Sequence, residues 1–308
     1  MILALRALGV GDLATAVPTL RGLRAAFPGE TLALAAPAWL TPLIVAIGGI
    51  DRIVAAAELE PLDMAPAMPR IAVNLHGSGP ESHQRLRVLR PGALWAFASA
   101  PAGHQDGPGW HDGEHEVRRW CRLVRYYGVP CDESDLDLAV PGADVPHGVT
   151  IVHPGAKSPA RRWPPERFAS VARRLHEAGH HVLVTGSPAE QQLCVRVSEL
   201  AGLPGAVIRT GLGELAALVA AARLVICGDT GIAHLATAYR TPSVVLFGPV
   251  SPVLWGPPAD RAYHQVIWHG TRSERGDLPG PVHPALLAVT EDEVLAAAEK
   301  AQDAAASQ

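Results

Sequence analysis

The sequence predicts an α/β protein of two Rossmann-like, doubly wound domains, and three observations carry that prediction. Short apolar runs alternate with longer amphipathic stretches, the rhythm of a parallel sheet covered by helices on both faces. A polar Pro/Gly stretch from Pro141 to Gly148 interrupts the rhythm, which then restarts. The length of 308 residues suits two domains of roughly 150 each. Residues 1–145 are therefore assigned to the first domain and residues 146–308 to the second, with a cleft between them.

Each element follows from its pattern. Ile2 to Leu5 is wholly apolar and reads as a buried strand; Leu13 to Phe27 reads as a helix and Thr31 to Ala36 as the next strand. Leu40 to Ile47 reads as a helix, Arg52 to Ala55 as a short strand and Arg70 to Leu75 as another, followed by the loop His76 to Pro80. Pro101 to Gly113 is rich in Gly, Pro and His and reads as loop, and Glu114 to Tyr127 as an amphipathic helix. After the linker come strand Val149 to His153, helix Pro165 to Ala178, strand His181 to Thr185 and helix Glu190 to Leu200. Strand Ala206 to Ile208, helix Gly213 to Ala221, strand Leu224 to Cys227, helix Ile232 to Tyr239 and strand Ser243 to Phe247 complete the series. The last helix, Glu291 to Ala305, is free to cross back to the first domain.

Composition narrows the function. With 48% apolar and 18% charged residues, the chain has the make-up of a soluble globular protein with a sizeable core. A net charge of -4 and a pI near 6.4 give no broad basic field, so nucleic acid is not an expected partner. Cys121, Cys131, Cys194 and Cys227 form no Cys-x-x-Cys pair, which argues against a zinc knuckle or redox motif; they read as buried or idle thiols in a reducing cytoplasm. Met1 to Leu5 reads as a strand rather than a signal peptide, and there is no apolar run of about eighteen residues to span a membrane. The expected location is cytoplasmic, with peripheral attachment to the inner face of the membrane left open.

Ligands of open α/β sheets sit beyond the carboxyl ends of the strands, so the strand-to-helix turns are where chemistry is sought. One turn is Gly228-Asp229-Thr230-Gly231, leading into a helix that bears His234. A helix opening there presents free N–H groups and a positive dipole end to a diphosphate, and Gly231 leaves room for it. Asp229 or Thr230 is equally suited to be a plain N-cap. A second turn runs from His153 to Pro164 and places Lys157, Arg161 and Arg162 close together, cations that stabilise charge on a leaving diphosphate without a metal. A solvated basic loop is the alternative.

Leu8-Gly9-Val10-Gly11-Asp12-Leu13-Ala14 formally matches the G-x-G-x-x-A dinucleotide fingerprint. The second strand, however, ends Leu34-Ala35-Ala36-Pro37, without the carboxylate that fingerprint needs for the ribose, and Asp12 would repel a pyrophosphate in the turn. Asp12 is instead placed to act as a general base from the first domain, or as a helix cap. The turn His76-Gly77-Ser78-Gly79-Pro80 offers His76 and Ser78 to an acceptor or phosphate, or is a flexible loop. Glu190 is a possible acceptor of ribose hydroxyl hydrogen bonds, or a helix-start carboxylate.

These turns, in this order, resemble the bacterial heptosyltransferases, glycosyltransferase family nine, which transfer heptose from ADP-heptose in lipopolysaccharide core assembly. The likeness is sharpest in His153 to Pro164 and in Val225 to Pro249, where Asp229-Thr230-Gly231-x-x-His234-Leu235-Ala236 is followed by Thr241-Pro242 and Leu246-Phe247-Gly248-Pro249. It implies a GT-B fold, inverting transfer without metal or other cofactor, and a donor held mainly by the second domain. By position, Asp12 looks like the catalytic base and Arg161 stands where the family usually has a phosphate-binding lysine. Lys157 and Arg162 lie beside it; Asp229, Thr230, Gly231 and His234 look like donor contacts, and Glu190 resembles the acidic residue near the ribose. Gly11 fits the family's first turn. Arg161 is a departure, since Arg keeps the charge but changes geometry. The expected partners are a nucleotide-diphosphate sugar, ADP by resemblance, and a hydroxyl acceptor on a glycan, lipid or natural product. Rival readings are a nucleotide-sugar binding protein without transferase activity and an epimerase of the same fold; incubation with donors separates a transferred sugar, an isomerised one, and neither.

Overall fold

The structure, a computed structural model, describes residues 1–62, 68–274 and 280–307. The chain divides into two compact units, Met1–Ala139 and Val140–Gln308.

The first unit runs β1 (Ile2–Leu5), α1 (Val10–Thr15), α2 (Val17–Ala26), β2 (Leu32–Ala36), α3 (Thr41–Ile47), β3 (Arg52–Ala55), β4 (Ile71–Asn74), α4 (Glu81–Arg87), β5 (Ala93–Trp95) and α5 (Glu116–Tyr126). Its sheet has the order β3-β2-β1-β4-β5, and every pairing is parallel. Leu3, Leu5, Ala33, Ala35 and Ala72 of the central strands form its core with Leu86 of α4. Strands buried on both faces explain why β1, β2 and β4 read as continuous apolar runs rather than alternating ones.

The second unit runs β6 (Thr150–His153), α6 (Pro165–Glu177), β7 (Val182–Val184), α7 (Gln191–Ala201), α8 (Leu212–Ala221), β8 (Leu224–Gly228), α9 (Gly231–Ala238), β9 (Ser243–Phe247), α10 (Pro252–Trp255), β10 (His264–Trp268), α11 (Pro284–Leu287) and α12 (Glu291–Ala306). The sheet order is β10-β9-β8-β6-β7, again parallel throughout. In each sheet the chain leaves its first strand toward one edge and returns on that strand's other side. The direction of winding therefore reverses between β1 and β4, and between β6 and β8, and such reversals open a crevice beyond the strand ends.

Several expectations are corrected. The helix read as Leu13 to Phe27 is two helices, because Pro18 has no N–H to give Ala14 and the Ala16 N–H turns to the Leu13 oxygen at 3.0 Å. Ala206 to Ile208 is not a strand: it contributes one bridge, Val207 to Val184, between the Gly205 turn and the start of α8. Helix α4 and the edge strands β5 and β10 went unread. The last helix packs on its own unit, with Val294, Ala297, Ala298 and Ala301 in the same core as Val171, Leu224 and Val244. Cys121 and Cys131 are not idle thiols. They form a disulfide, with 5.4 Å between their Cα atoms, because the chain reverses at the left-handed Gly128 and brings Cys131 back to α5. Cys194 and Cys227 are free and buried. Among the described residues no helix is long and apolar enough to cross a membrane.

Candidate active site

The second unit places the basic loop and the Gly228 to Gly231 turn side by side, because they follow the adjacent strands β6 and β8 at the reversal of the sheet. Arg161 reaches across: its Nη2 donates to Asp229 Oδ2 at 2.6 Å and to the Asp229 main-chain oxygen at 2.5 Å. The approach of the two turns is close, since a Cβ on Gly228 would lie 3.4 Å from the Arg161 carbonyl oxygen. Asp229 is buried, and burial raises its pKa above the ordinary carboxylate value while Arg161 draws it back. The Arg161 Nε is buried without a hydrogen-bond partner among the described residues.

Thr230 occupies the N-cap position of α9, but neither it nor Asp229 caps the helix through its side chain. Thr230 Oγ1 turns instead to the Gly228 carbonyl at 3.4 Å, and Asp229 is engaged by Arg161. The opening of α9 therefore keeps N–H groups that no side chain of the turn has taken. His234, one turn into α9, is half-buried and lies edge-to-face against Trp255 of α10, with 5.9 Å between ring centroids.

The other basic-loop cations differ in placement. Arg162 Nε donates to the Ala156 carbonyl at 2.8 Å, folding the loop back on itself, whereas Lys157 is exposed. Glu190 Oε2 accepts from the Ser187 N–H at 2.9 Å and its hydroxyl at 2.7 Å, a capping box, so its structural role is real. The same carboxylate lies over Gly155, where a Cβ would come within 2.3 Å of it. It thereby borders the start of the basic loop. His153, at the end of β6, is buried with Nδ1 2.9 Å from Thr185 Oγ1; burial pushes its pKa down to about 4, against the pull of Glu190.

In the first unit the two turns at the sheet reversal also come together. Asp12 lies in the first turn of α1, where Oδ2 accepts the Gly9 N–H at 3.1 Å and Oδ1 accepts from Arg6 Nη2 at 3.3 Å. Gly11 precedes it, half-buried. His76 follows β4, its N–H held by Asn74 Oδ1 at 3.0 Å and its Nδ1 buried without a hydrogen-bond partner among the described residues. Burial and then Arg6 lower the His76 pKa, while Asp12 raises it, so the three groups lie within electrostatic reach. Ser78 is half-buried in the same loop. Arg6, Trp255 and His153 went unread as site residues. Arg6 carried one signal, a cation set inside the apolar stretch that begins at Ile2.

Two all-parallel, doubly wound units, each with its candidate turns at the reversal of its sheet, give the GT-B architecture. A family model described as Glycosyltransferase family 9 (heptosyltransferase) matches residues 112–278, and the chain belongs to that family. It is 25% identical over 340 aligned residues to lipopolysaccharide heptosyltransferase 2 of Escherichia coli strain K12, covering 93% of this chain and 94% of the relative. Its fold is similar to that of E. coli ADP-heptose lps heptosyltransferase II, with a TM-score of 0.78, 20% identity and 98% of each chain covered. It is also similar to the E. coli heptosyltransferase WaaC with ADP, with a TM-score of 0.72, 17% identity and 97% of this chain and 98% of that one covered.

Proposed function

We propose that this chain moves a heptose from ADP-heptose to a hydroxyl of a lipopolysaccharide-type acceptor, with inversion and without a metal ion. The family description and the relatives' names support the heptose and the acceptor class, and the similar enzyme with ADP supports the base. The observation that carries the reading is Arg161 beside the uncapped opening of α9. A fixed guanidinium and free helix N–H groups are what a leaving diphosphate requires. In this reading Lys157 and Arg162 add charge, Glu190 takes the ribose hydroxyls, and Thr230, Gly231 and His234 line the donor. Asp229 acts through Arg161.

The reaction is a direct displacement. Asp12 accepts the proton of the acceptor hydroxyl, whose oxygen attacks the anomeric carbon. The bond from that carbon to the diphosphate oxygen breaks, and ADP leaves with its charge met by Arg161. His76 and Ser78 are assigned to the acceptor. The proposed setting is the cytoplasm, at the inner face of the membrane where the acceptor is lipid-linked. No resident cofactor is part of the proposal.

A thermal-shift panel of nucleoside diphosphates and their sugars tests the donor, because a ligand that binds the folded state raises its stability by mass action. ADP-heptose is expected to give the largest shift and to yield a transferred sugar. A larger shift with uridine or thymidine diphosphate sugars would overturn the donor assignment, and an isomerised sugar the reaction.

A further inference from the structure

Arg6 follows β1 directly and is 1% exposed. A guanidinium buried this far needs partners on nearly all its donors, since an uncompensated buried charge is costly. Its Nε donates to the Asp12 main-chain oxygen at 2.9 Å, and its Nη2 to Asp12 Oδ1 at 3.3 Å and Thr15 Oγ1 at 3.2 Å. Its Nη1 donates at 2.5 Å to the carbonyl of Leu75, the residue before His76. The guanidinium carbon lies 4.5 Å from the ring centroid of Trp120 on α5. Trp120 donates to Glu116 Oε2 at 2.8 Å, the oxygen that stands 3.7 Å from Arg6 Nη2. Glu116 is also paired with Arg119, so Arg6 and Arg119 balance Asp12 and Glu116.

Neutralising a carboxylate does not require this geometry; a lysine would do it. The planar fork does something a point charge does not. It grips the main chain and the side chain of one residue, Asp12, and at its other end holds the last carbonyl before the His76 turn. Both turns at the reversal of the first sheet are thereby tied to one side chain, which Trp120 keeps in place from the far face.

We propose that Arg6 is a positioning residue for the transfer reaction, aiming the Asp12 carboxylate and locking it to the turn that carries His76. The proposal rests on the reading of Asp12 as the base. Arg6→Ala would leave Asp12 and Glu116 with too few partners and is expected to unfold the unit, so the charge-preserving Arg6→Lys carries the test. A double-mutant cycle with Asp12→Asn, in the full chain, separates the outcomes; kcat, donor Kd and thermal midpoint are measured for each variant.

Arg6→Lys is expected to leave donor Kd within about twofold and to lower kcat about ten- to hundredfold, as small misplacements of a reacting group do. In the Asp12→Asn background the further loss is expected to be less than about twofold, because the group through which Arg6 acts is gone. Thr15→Val, which loosens the fork and keeps every charge, should show the same pattern at smaller size, and it supplies the answer if Arg6→Lys does not fold. Equal losses in both backgrounds, or unchanged kcat in the Arg6 and Thr15 variants, would overturn the proposal. Full turnover in Asp12→Asn alone is a distinct result, which removes the base reading itself.

Discussion

Arg161 and Asp229 show how a residue named for one role takes another. The motif Gly228-Asp229-Thr230-Gly231 suggests a carboxylate turned to the donor, yet Asp229 is buried and spends its carboxylate on Arg161. Arg161→Ala would leave that buried carboxylate unpaired beside the proposed diphosphate site. Such a loss destabilises by about 3 kcal/mol, and donor Kd is expected to rise more than tenfold in calorimetry. Asp229→Asn keeps the shape and one hydrogen bond, so a smaller rise is expected. In the combined variant the thermal midpoint should recover while donor affinity stays low; unchanged affinity in Arg161→Ala would contradict the phosphate role. At this scale Asp12 and Arg161 stood out in the sequence as candidates, because a carboxylate in a glycine turn and a cation cluster after a strand are unusual. Arg6 was not, since its partners Leu75, Glu116 and Trp120 are far from it in sequence.

At the scale of elements, burial decided much of what the sequence pattern captured. Strands β1, β2, β4, β6, β8 and β9 were legible because burial on both faces makes them apolar without interruption. The edge strands β3 and β7 were read as well, whereas β5 and β10, with half-exposed positions and an alternation too short to separate from loop, were not. The junction of β6 with α7 carries a prediction. Gly155 leaves room for the Glu190 carboxylate, which caps the turn at Ser187. Gly155→Ala is expected to displace that carboxylate, lower stability by about 1 kcal/mol through loss of the cap, and raise donor Kd several-fold. Denaturation and calorimetry check the two effects, and a variant with wild-type donor affinity would detach Glu190 from the ribose.

Across the whole molecule, stability carries a pH signature. His264 opens β10, buried, with Nδ1 2.9 Å from Ser243 Oγ. Burial, helped by Arg261, pushes its pKa from 6.5 down to about 4. As pH falls through about 6.5 the unfolded imidazole takes a proton and the folded one does not, so the unfolded state binds more protons and stability declines until about pH 4. At pH 5 the cost from His264 is about 2 kcal/mol. Urea denaturation of His264→Gln at pH 7 and pH 5 should show a drop smaller by that order than in the wild type; an equal drop would refute the assignment. By itself the sequence determined the two-part α/β plan, most of the strands and the turns at their ends, because apolar periodicity and Gly/Pro punctuation act over neighbouring residues. Tertiary structure alone decided that Asp229 serves Arg161, that Cys121 bonds Cys131, and that Arg6 joins two turns. Each depends on side chains brought together by sheet order and chain reversal, and local sequence holds no record of who the neighbour will be.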